Sequence, residues 1–120
     1  MPISIIPLSG QVPVEESAPP ADRRLAGDAR QRVWNFFSDV SGQFHAGRWS
    51  STPGRWRVRY TENELCVMTS GRVVLHGLDG ERWEFVAGDA FIIPAGFEGA
   101  WEVLEHCSKI YAIYETNAVS

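Results

Sequence analysis

Cysteine, histidine, helical periodicity and long apolar runs are all scarce in this chain, and each scarcity excludes something. Two cysteines in 120 residues, Cys66 and Cys107, do not make a disulfide framework, so a reduced, cytoplasmic setting is expected. No apolar run approaches the roughly 20 residues of a membrane-spanning helix. The opening MPISIIPLSG lacks the basic region and long apolar stretch of a secretory signal. Neither a membrane nor a nucleic acid is expected as a partner: 11 basic residues stand against 15 acidic ones, and no basic run rises above that balance. What remains is ordinary for one globular domain with a real core, with 44% hydrophobic and 22% charged residues.

The chain divides by composition near residue 42. In residues 1–42, PISIIPL reads as a short edge strand interrupted by prolines. PVEESAPPADRR is polar and proline-rich, so it is expected to be extended and without helix. GDARQRVWNFFSD has room for a short turn of helix, but Trp34, Phe36 and Phe37 read better as anchors of an extended N-terminal arm. Residues 43–120 form a train of about eight short strands. GRWRVRY alternates, with Arg55, Arg57 and Arg59 on one face and Trp56, Val58 and Tyr60 on the other. Asp79-Gly80 predicts a hairpin with a type I′ turn, which needs φ > 0 at both central residues. Ser70-Gly71 and Gly88-Asp89 mark further turns between strands. Many short strands with glycine-rich turns imply a sandwich or barrel.

Two motifs narrow the fold. Glu64 and Gly71 are separated by six residues, and GDAFIIPAG sets Gly88 five residues before Pro94, with Gly96 two further on. Together they resemble the two motifs of the cupin superfamily. YTENELCVMTSGRV, GDAFIIPAGFEGAWEVLE and SKIYAIYE look like the cupin-3 group, related to ureidoglycine aminohydrolase. The resemblance covers roughly residues 43–116. It implies an all-β fold: a cupin jelly-roll barrel of antiparallel strands, here with the extended arm before it.

Metal-binding cupins carry His-x-His just before the motif-one glutamate and a third histidine after the Pro-x-Gly. Here the first two positions hold Val58 and Tyr60, or Arg57 and Arg59, and the third holds Gly99. Arginine keeps its proton and does not ligate. Glu64 alone falls short of the three or so protein ligands of an open metal site, so no metal and no other cofactor is expected. His45, His76 and His106 match no metal spacing and read as surface or edge residues, the last in a turn between AWEVLE and SKIYAIYE, the alternative being a non-standard metal site that uses one of them with Glu64.

A different set of residues carries chemistry. Glu64 and Cys66 share a strand face, as do Lys109 and Tyr111. The resemblance points Glu64 into the barrel, which takes Cys66 inward too and sets Trp101, Lys109 and Tyr111 around the same cavity. The candidate catalytic residues are Glu64 as general acid or base, Lys109 as its electrostatic partner and Cys66 as a nucleophile. The candidate ligand-binding residues are Tyr60, Trp101, Tyr111, Arg57 and Arg59, the arginines as readers of an anion. The bland alternatives are a structural Glu64–Lys109 salt bridge, a buried apolar Cys66, core aromatics and a solvated arginine face. Two functions fit: a metal-independent enzyme for a small nitrogen-containing or carboxylated metabolite, or a non-catalytic module binding an anion or sugar acid. A small-molecule ligand is expected in either case. The edge strands of a small jelly roll need cover, so a homodimer is expected as well.

Overall fold

Strand pairing organises nearly the whole chain. The structure is a computed structural model that describes residues 3–116. Among them are nine strands, one 3-10 turn at Ala21–Arg23 and no α-helix. The strands are β1 (Glu15–Ser17), β2 (Arg24–Gly27), β3 (Gln31–Ser38), β4 (Phe44–Ser51), β5 (Gly54–Arg59), β6 (Asn63–Gly77), β7 (Arg82–Val86), β8 (Ala90–Ile93) and β9 (Glu98–Tyr114). Every pairing is antiparallel, and the sheet curls into the expected jelly roll.

Two long strands form the spine, where the sequence suggested only short ones. β9 has 17 residues and runs beside the 15 of β6 along almost its whole length. The far edge of β9 holds β5 along its first half and β4 along its second. The far edge of β6 holds β8 and then β7. AWEVLE and SKIYAIYE are therefore one strand, and His106 is an exposed residue within it rather than in a turn.

Ser70-Gly71 is likewise not a turn. It is a bulge inside β6, where the register against β9 shifts around Ser70 and Arg72. Gly71 sits at φ +83°, a conformation that a side chain disfavours. The bulge switches strand parity. Before it the buried residues are the even-numbered Glu64, Cys66 and Met68; after it Val73, Val74 and Leu75 are all buried, and the odd-numbered Val73 and Leu75 are the two that join the core cluster. Without the extra residue the second pair would turn away from the core. The Asp79-Gly80 hairpin is present, but its turn is not type I′. Only Gly80 has positive φ, and the backbone N–H of Gly77 closes a loop of Leu78, Asp79 and Gly80 by donating to the carbonyl of Glu81. Gly88-Asp89 does join β7 to β8.

The N-terminal third differs from its sequence reading in three places. PVEESAPPADRR, expected to be without helix, contains the 3-10 turn Ala21–Arg23. PISIIPL forms no strand over its described residues 3–8, and Pro2 lies outside them. Ile3 and Ile5 are fully exposed, with no sheet edge pairing them. GDARQRVWNFFSD holds no helical turn; it supplies β3, which pairs with β4 along its length, with a bulge at Phe36. β2 pairs with β5. Residues 24–38 are thus part of the sheet that carries the barrel. The core lies inside the curl, where Trp56, Cys66, Met68, Val73, Leu75, Trp101, Val103 and Cys107 are buried together.

Candidate functional site

The inward faces of β4, β5, β6 and β9 converge on one buried ion pair. Strand alternation brings Glu64 inward from β6 and Lys109 inward from β9. Lys109 Nζ lies 2.8 Å from Glu64 Oε2, with both side chains 5% exposed. The other carboxylate oxygen is engaged too: the Tyr60 hydroxyl donates to Glu64 Oε1 at 2.8 Å and accepts from Trp101 Nε1 at 2.9 Å. Lys109 Nζ also donates to Cys66 Sγ at 3.5 Å. It sits between two indoles, 4.5 Å from the ring centre of Trp49 and 4.4 Å from that of Trp101. Such contacts favour a desolvated cation.

Proton affinities follow from this packing. Burial is the largest single influence on Lys109 and opposes its charge. Glu64, with smaller contributions from Cys66 and Tyr60, outweighs it in sum, and the ammonium titrates above the ordinary lysine range. Burial raises the Tyr60 phenol well above its usual value. Burial likewise pushes the Cys66 thiol up to about 12 and the Tyr111 phenol up to about 12. Cys66 is therefore a neutral thiol at physiological pH, and burial works against the nucleophilic role, which needs a thiolate.

Above the pair lies a cavity of about 720 Å³, open at the barrel mouth. Trp49, Trp56, Tyr60, Trp101 and Tyr111 contribute its aromatic wall, and Glu64 and Lys109 its floor. Glu62 and Glu115 stand at the mouth. Partial burial, with Glu115 and Glu64 close by, raises the Glu62 carboxyl above its ordinary value. On the β3 side the Tyr111 hydroxyl donates to Asn35 Oδ1 at 2.7 Å, and Asn35 Nδ2 donates to Ser38 Oγ at 2.9 Å. Ser38 Oγ is in turn 2.7 Å from His45 Nδ1.

Six of the eight expected site residues therefore meet: Tyr60, Glu64, Cys66, Trp101 and Lys109 in one bonded cluster, with Tyr111 lining the same cavity. Arg57 and Arg59 do not join the cluster. Their side chains are exposed beside the inward Trp56, Val58 and Tyr60, and Arg59 pairs with Glu98 at 3.3 Å. They contribute only to the edge of the mouth. Sequence reasoning missed Trp49 and Asn35. Trp49 meets Lys109 through the β4–β9 register, which no local pattern supplies, and Asn35 carried no signal, because its strand was not recognised.

The site does not fit a metal ion. No group of three or more histidine, cysteine, aspartate or glutamate side chains converges among the described residues. His76 pairs with Glu102 on the outer face, His106 is exposed there, and His45 is held by Ser38 at the rim. Both oxygens of Glu64 are bonded to protein donors. The Lys109 ammonium supplies the positive charge beside Glu64 that a cation would otherwise bring.

Comparison with known proteins agrees with this geometry. The EutQ-like cupin domain matches residues 39–111. No curated protein matches the chain. Among solved structures, a DUF861-family protein of unknown function from Pseudomonas syringae superposes with a TM-score of 0.79 at 24% identity, covering 90% of this chain and 46% of its own. The Clostridium difficile EutQ protein gives a TM-score of 0.65 at 15% identity, covering 74% of this chain and 65% of its own. A DUF861-family protein from Thermotoga maritima is 30% identical over 53% of this chain and 73% of its own, with a TM-score of 0.52. The chain thus spans less than two thirds of the Pseudomonas and Clostridium proteins. No helix among the described residues is long and apolar enough to cross a membrane. With a matched domain over more than half its length and a jelly roll that superposes on these relatives, the chain belongs to the EutQ-like cupin family.

Proposed function

We propose that this cupin is a metal-independent binding module for a small carboxylated, nitrogen-containing metabolite held in the barrel cavity. The observation that carries the reading is the buried Glu64–Lys109 pair on the floor of a cavity that has an aromatic wall and charged residues at its mouth. A buried ion pair gains little net stability over a well-packed apolar pair, because desolvation consumes most of the Coulomb energy. A charged pair at the base of an open cavity is better explained by a ligand that it orients. The mouth offers both signs, with Glu62 and Glu115 able to meet an amine and Arg57 to meet a carboxylate. The proton affinities favour binding over turnover: Tyr60, Cys66 and Lys109 are all shifted away from neutrality, so none is poised to exchange a proton near pH 7.

A catalytic reading rests on one contact, the Tyr60 hydroxyl bonded directly to the Glu64 carboxylate on the cavity floor. That couple could pass a proton to a bound substrate. The likeness to the ureidoglycine aminohydrolase group supports no more than this, since the resemblance there is to metal enzymes, whose histidine positions here hold Val58 and Tyr60, or Arg57 and Arg59, and Gly99.

Thermal unfolding with a panel of small amino acids, ureido acids and sugar acids separates the two. Binding predicts saturable stabilisation by one class, weakened in Tyr111→Phe, with the ligand recovered unchanged by NMR. Conversion of the stabilising compound, abolished in Tyr60→Phe, would establish the enzyme instead. A panel without effect on either melting or the Trp101 indole resonance would remove the carboxylated-amine class.

A further inference from the structure

The sheet of β3, β4 and β9 has a second face, and it is not a plain outer surface. Odd-numbered residues of these strands, among them Trp49, Lys109 and Tyr111, line the barrel. The even-numbered ones line a separate groove of about 980 Å³, bordered by Ser9, Gly10, Glu16 and Ser17. Cross-strand register builds its floor in rows. Arg32 lies opposite Ser50, and Ser50 opposite Ser108; one row on, Trp34 lies opposite Arg48.

Two features of this floor call for a ligand. Arg48 is half-buried and has no carboxylate partner among the described residues; its one bond is from Nη1 to the carbonyl of Leu8 at 3.2 Å. Ser50 is only 7% exposed, and it lines the groove without being among the buried polar atoms left unpartnered. A half-buried cation without a carboxylate counter-charge, beside a hydroxyl that opens onto the groove, is an arrangement that suits an anion. Arg32 adds a second guanidinium, and its pairing with Glu16 is loose at 3.7 Å with both side chains mostly exposed. The Ser108 hydroxyl already bonds to Thr69 and Ser70, at 2.6 and 2.7 Å, and shares one hydrogen-bonded cluster with them next to Ser50. Trp34 lies across from Arg48 in the register and lines the same groove, so its indole is available to any ring attached to the anion.

We propose that this outer groove is a second ligand site, independent of the barrel, that takes a phosphate group carried on a small ring-bearing metabolite. Arg48 and Arg32 hold the phosphate oxygens as guanidinium forks, Ser50 donates its hydroxyl, and Trp34 stacks on the ring. The groove is of the size that such ligands fill.

Heteronuclear NMR titration of the full chain at low salt tests this with inorganic phosphate, phenyl phosphate and phenol. The expected result is saturable shifts at the Trp34 indole and the Ser50 and Ser108 amides, with the Trp101 indole unmoved. Phenyl phosphate should bind more tightly than phosphate, and phenol should not bind. Arg48→Gln should weaken phenyl phosphate by about tenfold, the usual effect of one lost charge-assisted hydrogen bond. Ser50→Ala, which removes only the hydroxyl, should also weaken it. The proposal fails if the shifts do not saturate, if they fall at the barrel residues, or if both variants bind like the parent chain. It also fails if light scattering shows a dimer in which the groove resonances are protected and silent to phosphate, which would make this face an interface between copies.

Discussion

Replacing Lys109 by methionine leaves the Glu64 carboxylate in a site with no counter-charge, and replacing Glu64 by glutamine does the converse. Each single change should cost about 3–5 kcal/mol in denaturant unfolding, and the double variant less than the sum. Small, additive losses would show that the two charges do not depend on each other. The protons of the same cluster set an alkaline limit. Cys66 and Cys107 move from 9.0 to about 12 and about 11, and Tyr111 from 10.0 to about 12, each chiefly through burial. A raised folded-state pKa contributes stability that is complete below the unfolded value and is lost as pH rises toward the folded one. The unfolding midpoint should therefore be insensitive to these groups up to about pH 8–9 and fall between about pH 9 and 12. A midpoint that holds steady to pH 12 would contradict the burial of these groups. Both thiols should also resist alkylation at pH 8 until the protein unfolds. At this scale the sequence was informative wherever strand parity applied. Glu64, Cys66, Lys109 and Tyr111 were placed together from alternation and from the resemblance. The same alternation put Arg57 and Arg59 on the face opposite Tyr60, and their side chains are indeed exposed there.

The element that decides the site is β6, and its decisive residue is Gly71. A Cβ at Gly71 would run into the His106 carbonyl and the Cys107 backbone on β9, at a φ that side chains disfavour. Gly71→Ala should therefore cost about 2–4 kcal/mol, combining overpacking with backbone strain. Gly88→Ala provides the contrast. Gly88 has φ +96° but open space around it, so roughly 1 kcal/mol is expected there. Equal losses at the two positions in urea unfolding would argue that crowding against β9 is unimportant. Motif one was correctly located in the sequence, but its glycine was read as a turn. Both a turn and a bulge ask for positive φ, and only the pairing partner distinguishes them. The strand β3 was missed for a related reason. Its exposed and half-buried residues do not alternate cleanly, because a bulge at Phe36 breaks the period of two.

At the scale of the molecule, the exposed residues ask for a partner. Ile3, Ile5 and Ile6 of the N-terminal segment are exposed, as are Leu65 and Ile92, cross-strand neighbours on the outer face of β6 and β8. We expect a homodimer, with the N-terminal segment contributing to its interface. Light scattering should give twice the chain mass for the full protein and a smaller value for a chain lacking residues 1–20. A monomer in both cases would refute the dimer, and an unchanged dimer would clear the segment of any part in it. The sequence by itself determined the all-β class and which residues share a strand face, as Glu64 with Cys66 and Lys109 with Tyr111, because these depend on residue type and on a two-residue period. The jelly roll, the missing metal-binding imidazoles and the inward direction of Glu64 came from the resemblance to the cupin motifs. The closure of the Glu64–Lys109–Tyr60–Trp101 cluster and the Trp49 cage around the lysine were decided only by tertiary structure. So was the groove on the reverse of the same sheet. Each joins residues from different strands, and which strands become neighbours is set by the register and bulges of the sheet rather than by any local pattern.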